Sequence, residues 1–488
     1  MSSPLLDLEP RYVWQHFDAI RRIPRPSKHE DKVASHVMDW ARGKGYEANR
    51  DEAGNIVVRI PATPGHENAP TIVLQGHMDM VCEKNSDIEH DFMSDPIEIK
   101  IDGDWVKAVG TTLGADNGIG VAAAMAVADD PGSVHGPLEL LMTIDEETGL
   151  TGAMSLDGSM LTGRTMLNLD TEEDGAVYIG CAGGADSTAE LPISRRKALL
   201  GSLPLKLTVR GLRGGHSGVD IHENRANALK LAVRTLLAAI GEGLELDLVK
   251  LEGGSKHNAI PREAFAVIRL PKASITAFRA LVKKKVEAFR EEFGAIDPDL
   301  ELSVDELEDT DEYALPMNVH ARNNLLHVVN GVPHGVLAMS REVPGLVETS
   351  NNMAVVHTGE NSVSFVTSHR SSVMPALYAV QEQVRSICVL GGATVEVHDA
   401  YPGWKPNPDS AIVRKTVSVF EELFGTTPEL KAIHAGLECG LLLKKVPDMD
   451  VVSIGPEIQN AHSPDEMVQI SSVQKFYKHL KEVLSQLA

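Results

Sequence analysis

The chain has 488 residues, 43% of them hydrophobic, and its 69 acidic and 46 basic side chains leave a net charge of −23. That length exceeds one typical domain, so two or more are expected, and the apolar share is ample for packed cores. The acidic surplus argues for a soluble protein and against binding nucleic acid or anionic membrane surfaces, and no run approaches the ~18 apolar residues that suggest a membrane span.

In chain order, helical spacing covers 12–20 and 28–44, and 55–60 alternates weakly as a strand. Short apolar runs at 71–74, 138–143 and 165–169 read as strands covered on both faces. The Ala-rich segment 118–127 reads as a buried helix. This alternation predicts a doubly wound α/β domain.

From about 186 to 398 the pattern changes. Strands are expected at 203–209, 244–251, 263–270 and 300–304, with helices at 224–240 and 275–293. A similar order recurs: helix 319–329, strands 353–357 and 362–368, helix 373–390, strand 394–398. Two similar α/β halves forming one inserted lid domain are expected. The first style then returns with helix 408–424, strand 450–454 and helix 471–487. The expected division is a discontinuous first domain, 1–185 with 399–488, and an inserted lid domain at 186–398.

The stretch 1–7 has no basic segment followed by an apolar one, so no signal peptide is expected. Cys82, Cys181, Cys388 and Cys439 are widely spaced without a C-x-x-C. That usage suggests a reducing compartment, the cytoplasm, and neither a disulfide framework nor a thiolate zinc site.

His77 and Asp79 stand at the end of the 71–74 run, and Asp116, Glu146, Glu147, Asp170 and His462 stand in similar settings. Sites in open α/β sheets form outside the carboxyl ends of strands. Two histidines and several carboxylates converging there suit divalent metals. Asp116, in a Gly-rich turn before the Ala-rich helix, could bridge two cations. In an extended segment Glu146 and Glu147 would point opposite ways, so one could ligate while the other faces substrate. His462 lies far from its partners in sequence, which is why the catalytic domain is read as discontinuous.

Five segments carry a family resemblance: Gly76-His77-Met78-Asp79, Gly114-Ala115-Asp116-Asn117-Gly118, Asp145-Glu146-Glu147-Thr148-Gly149, Asn168-Leu169-Asp170 and Ala461-His462-Ser463-Pro464. They resemble the M20 metallopeptidases, most closely the bacterial aminoacyl-histidine dipeptidases. The lid segments around His216, Asn258 and Arg370 resemble that group too. The resemblance implies two zinc ions per subunit, with Co2+ or Mn2+ as substitutes. His77, Asp170 and a bridging Asp116 would hold one ion; Glu147, His462 and the same Asp116 the other. Glu146 would be the general base, Asp79 would orient His77, and Asp116–Asn117 would be the family's cis peptide.

The resemblance also implies the substrates: Xaa-His dipeptides such as β-alanyl-histidine and other unblocked dipeptides, with a preference for a C-terminal histidine. Glu146 would take a proton from the attacking water and return it to the leaving nitrogen. His216 would supply an oxyanion donor, Arg370 would pair with the substrate carboxylate, Asn258 would hydrogen-bond nearby, and the Gly436 backbone would line the pocket. A homodimer through the lid is expected, with no nucleic-acid or membrane partner.

Three other readings compete. Gly114-x-x-x-Gly118-x-Gly120 mimics a dinucleotide loop, but Asp116 inside it would repel pyrophosphate and no clear apolar strand leads into it. A non-catalytic scaffold on a peptidase fold conflicts with an intact Glu146 and ligand set. An N-acyl amino-acid deacylase would use the same metals and base with a different pocket.

Overall fold

A computed structural model of the chain describes residues 3–488. The chain divides into two compact units: Met1–Gly180 with Trp404–Ala432 and Leu437–Ala488, and Cys181–Gly403 with Ile433–Gly436.

Among the described residues the first unit holds an eight-stranded sheet. At its centre Leu138–Thr143, Ile72–His77, Thr165–Asn168 and Asp450–Ser453 run parallel, in that order. The first three are almost entirely buried, which explains their unbroken apolar runs. From Ile72–His77 the chain passes through the helix Ala115–Asp129 to a strand on one side. It then returns to Thr165–Asn168 on the other, creating a switch point at the carboxyl end of Ile72–His77. Ala115–Asp129 is buried from Ala115 to Val127, as its Ala-rich composition predicts.

The helix approaches the strand ends closely because two positions lack a side chain. A Cβ on Gly76 would lie 2.3 Å from Asn117 Oδ1, and one on Gly120 would lie 2.4 Å from the Leu169 carbonyl. Asn117 fills the gap and donates from Nδ2 to the Leu169 carbonyl at 2.7 Å. The Asp116–Asn117 peptide is cis.

The second unit is built on a nine-stranded sheet. Its order gives one connectivity twice. From the junction outward, one half runs Asp247–Gly253, Ala264–Pro271, Ser202–Arg210, Glu301–Glu306. The other runs Val347–Thr358, Ser362–Ser371, Gly183–Pro192, Thr394–Val397. The halves join where Gly253 pairs with Val356. Helices Ala228–Gly241, Ile275–Phe293, Val319–Gly331 and Met374–Leu390 contribute apolar faces to a core shared with the sheet. The strand Gly183–Pro192 completes the second half although it precedes the first in the chain. Sequence periodicity did not signal it.

That strand also moves the division between units. Gly183–Pro192 pairs with Ser362–Ser371, and Gly184 bridges to Tyr401, so the second unit begins at Cys181 and ends at Gly403 instead of spanning 186–398. Ala182 N–H donates to the carbonyls of Ile433 and Ala435, each at 3.0 Å, which ties Ile433–Gly436 to the same unit. The helix expected from 224 starts at Ala228, because Asn224 is left-handed (φ 54°) and Asn227 caps the Lys230 N–H.

Candidate metal centre and substrate-binding residues

His77 is the last residue of its strand, and Asp170 stands two residues beyond the neighbouring Thr165–Asn168. His77 Nε2 lies 3.1 Å from Asp116 Oδ1 and 3.4 Å from Asp170 Oδ1. The other oxygen of Asp116 lies 3.2 Å from His462 Nε2, which is itself 3.0 Å from Glu147 Oε2. His77, Asp116 and Asp170 therefore form one group with ligand atoms within 4.8 Å of each other, and Asp116, Glu147 and His462 form another. Asp116 belongs to both. A further grouping of His77, Glu146 and Glu147 meets the same distance limit.

His462 is carried between two short paired strands, Ile458–Gln459 and Met467–Gln469, and adopts a positive φ of 63°. Glu146 and Glu147 are not in an extended segment. Asp145 turns the chain at φ 49°, and Glu146–Gly149 is a single helical turn. Consecutive residues still diverge there, by ~100° around the helix axis. The turn is held from both sides: the Asp145 carboxylate accepts the Thr148 and Thr151 hydroxyls, and Asp79 accepts the backbone N–H of Glu146 (3.1 Å) and of Glu147 (3.2 Å).

Asp79 is fully buried, and its Oδ1 lies 3.3 Å from His77 Nδ1. Burial would raise its pKa, but His77, the Ser27 hydroxyl and the Glu146 N–H outweigh that and lower it to about 2. Asp79 thus stands beside His77 Nδ1, while His77 Nε2 faces Asp116 and Asp170.

The electrostatics of the cluster suit a cation. Burial pushes Asp170 up to about 7, with Asp116 and Glu147 adding to the rise against the pull of His77. Burial also raises Glu146 well above its ordinary value, opposed by His77 and reinforced by Asp170, Glu438 and Glu147. Hydrogen bonds to Asp116 and Glu147 push His462 up to about 11. These carboxylates crowd one another and draw protons onto whatever base is near, a strain that divalent ions relieve. Asp170 Oδ1 and Glu147 Oε1 are buried without a hydrogen-bond partner. With imidazole and carboxylate donors, the set fits a hard or borderline divalent metal.

The substrate residues expected from the sequence all lie in the second unit. His216 is on a two-residue strand paired with Ala259–Ile260. Its Nδ1 accepts the N–H groups of Gly218 (3.2 Å) and Val219 (3.0 Å), so the ring proton sits on Nε2. Burial, then the Arg370 charge, lowers its pKa, which keeps the ring neutral and Nε2–H available as a donor. Asn258 is adjacent, its carbonyl accepting the Ser217 N–H at 2.8 Å. Both residues line a cavity of about 680 Å3.

Arg370 is 7% exposed on the strand Ser362–Ser371. Its Nη1 donates to the Tyr401 hydroxyl at 3.1 Å, and its buried Nε has no partner. A Cβ on Gly218 would lie 3.1 Å from His216 Cε1 and 3.2 Å from Arg370 Nε, so the glycine lets these side chains converge. Gly436 packs against Tyr401, where a Cβ would meet the ring at 3.0 Å.

Glu438 is a further acid that strand-end spacing does not mark. It is fully buried, and one oxygen accepts Gln75 Nε2 and the Thr143 hydroxyl, each at 2.6 Å. Gln75 accepts in turn from Asn168, which accepts from Ser453. This polar chain links four adjacent strand ends beneath the candidate ligands. Its one signal is an acid opening the apolar run Cys439–Gly440–Leu441–Leu442–Leu443.

Histidines and carboxylates gathered beyond the carboxyl ends of a parallel sheet, sharing one aspartate, define a metal-dependent hydrolase of the α/β class. The chain belongs to peptidase family M20/M25/M40, which it matches over residues 73–486. It is 44% identical over 485 residues to the cytosol non-specific dipeptidase of Escherichia coli (strain K12), covering 99% of both chains. The structure of the aminoacylhistidine dipeptidase of Vibrio alginolyticus superposes with a TM-score of 0.93 at 44% identity, covering 99% of this chain and 98% of that one. The aminopeptidase PepT of Bacillus cereus, at 15% identity and a TM-score of 0.57, covering 98% of this chain and 99% of that one, shares the fold.

Proposed function

We propose that the chain is a metal-dependent dipeptidase that hydrolyses Xaa-His and other unblocked dipeptides, with a preference for a C-terminal histidine. The observation that carries this reading is the placement of Asp116, one oxygen toward His77 and the other toward His462. Its family membership and the dipeptidase names of its relatives support the reaction class.

His77, Asp116 and Asp170 would hold one ion and Asp116, Glu147 and His462 a second, with zinc the first choice for these donors. Divalent ions held by these residues would supply Lewis-acid chemistry, making water a better nucleophile and polarising the scissile carbonyl. Glu146 accepts the proton of the attacking water and delivers it to the leaving nitrogen. Asp79 holds the His77 ring in register. His216 presents Nε2–H to the oxyanion that develops during attack. Arg370 binds the substrate carboxylate, with Tyr401 holding one of its nitrogens; Asn258 would hydrogen-bond to the substrate, and the Gly436 backbone would lie beside it. Requiring that carboxylate, with little chain before it, restricts the reaction to short peptides.

A cytoplasmic location is part of the reading, supported by the widely spaced cysteines and by the relative named as a cytosol dipeptidase. Among the described residues no helix is long and apolar enough to cross a membrane. A homodimer through the second unit rests on the family resemblance, and sedimentation of the purified chain tests it. The functional test is hydrolysis of β-alanyl-His and several α-Xaa-His peptides, with N-acetyl amino acids as comparison substrates. Selective cleavage of the acetylated compounds would make the chain a deacylase instead.

A further inference from the structure

Two buried charges that the proposed reaction does not use grip the loop that carries Asp116. Glu466, 2% exposed, accepts four successive backbone N–H groups. Oε2 takes Leu113 (2.7 Å) and Gly114 (3.0 Å); Oε1 takes Ala115 (2.8 Å) and Asp116 itself (3.3 Å). On the other side Arg25, 1% exposed, donates from Nη2 to the Gly114 carbonyl. Its Nη1 donates to the carbonyls of Met78 (2.9 Å) and Asp79 (2.5 Å). The Gly114 peptide unit and its neighbour are thus held by a carboxylate on their N–H groups and a guanidinium on the Gly114 carbonyl. Only glycine fits: φ at Gly114 is 69°, and a Cβ would lie 2.5 Å from Arg25 Nη2.

These contacts join three separate stretches. Arg25 ties the backbone just after His77 to the Asp116 loop. Glu466 ties the same loop to the hairpin that carries His462, four residues away in sequence. A carboxylate with both oxygens committed to backbone donors, and a fork with both terminal nitrogens on carbonyls, leave little freedom for sliding. Burying two charges is costly unless they are fully satisfied, so an apolar pair would serve stability as well. Here both groups spend their hydrogen bonds on the backbone around Asp116, which points to a geometric role.

We propose that Glu466 and Arg25 are positioning residues that set the spacing between the His77, Asp116 and His462 side chains, and so the affinity of the site for its second divalent ion. This rests on the di-metal reading above. Glu466→Gln keeps the shape but turns an amide N–H2 toward two backbone donors. Groups that orient metal ligands typically change affinity by ~10–100-fold when altered.

The experiment measures zinc affinity by chelator competition for the full-length parent, Glu466→Gln, Arg25→Lys and Val451→Ala, alongside thermal unfolding of each metal-free form. Val451, buried in the sheet away from these contacts, serves as the stability control. The expected result is a roughly 10–100-fold weaker second ion in Glu466→Gln and Arg25→Lys, with kcat recovering as zinc is raised, and parent affinity in Val451→Ala. If Glu466→Gln does not fold, Arg25→Lys carries the test alone. Parent affinity in both variants overturns the proposal, as does an equal loss in Val451→Ala. A parent chain that binds no divalent ion overturns the di-metal reading and this proposal with it, whereas binding of two ions by the parent separates the two failures.

Discussion

Asp116 and His462 are 346 positions apart in the chain, yet Asp116 Oδ2 and His462 Nε2 lie 3.2 Å apart. The other oxygen of Asp116 faces His77, so a single carboxylate stands between two imidazoles from opposite ends of the sequence. Asp116→Ala is expected to lose both ions, because it removes a donor from each group. His462→Ala is expected to weaken one ion and leave the other. Metal content after gel filtration checks this; equal stoichiometry in the two variants contradicts it.

Glu146→Gln should retain metal and fold normally, since Glu146 lies outside both ligand groups that share Asp116. Removing a general acid–base costs ~10²–10⁴-fold in rate. Steady-state kinetics on a metal-loaded sample provide the check, and near-parent kcat would remove Glu146 from the reaction.

Arg370→Ala should raise KM for free dipeptides while leaving thermal stability close to the parent's. A hydrogen bond to a charged group contributes ~1.5–3 kcal/mol, or roughly a ten- to hundredfold change in KM. The parent should discriminate to a similar degree against C-terminally amidated dipeptides, whereas Arg370→Ala should not. Equal cleavage of free and amidated peptides by the parent refutes the carboxylate clamp.

Two buried histidines away from the metal centre make stability depend on acid. Burial lowers His369 to about 4, its ring held by Ser187 and Asn351. Burial likewise lowers His479 to about 4, against the opposing effect of the Thr416 carbonyl 2.8 Å from Nε2. The unfolded chain protonates these rings near pH ~6.5. Between those values the folded state binds fewer protons than the unfolded one, so stability is full above ~6.5 and falls as pH drops toward 4. Each histidine adds at most ~1.4 kcal/mol per pH unit to that slope. Urea unfolding between pH 4.5 and 7.5 measures it, and His479→Gln should flatten it; an unchanged slope removes His479 as a contributor.

Much of the first unit was legible because buried parallel strands announce themselves as short apolar runs, and polar residues at their ends stand out against them. His77, Asp170 and Glu147 were visible for that reason. The roles proposed for His216, Asn258 and Arg370 rest on motif resemblance, since each is an ordinary loop or strand residue by spacing. Glu438, Glu466 and Arg25 escaped notice because a buried charge and a solvated one look alike in sequence. What distinguishes them is the backbone groups of distant segments that fold against them. Glu47–Arg50 was missed because an exposed edge strand of polar residues has no alternation to read. Gly183–Pro192 was missed because its partners lie some 170 to 210 residues away, and pairing at that separation leaves no local mark.

The most direct test is to strip the protein of metal and add zinc stepwise while following hydrolysis of β-alanyl-His and an α-Xaa-His peptide. No turnover is expected without metal, and activity should rise to a plateau at two ions per chain. Turnover that persists after chelation, or a fully loaded chain that cleaves no free dipeptide, would contradict the proposed function.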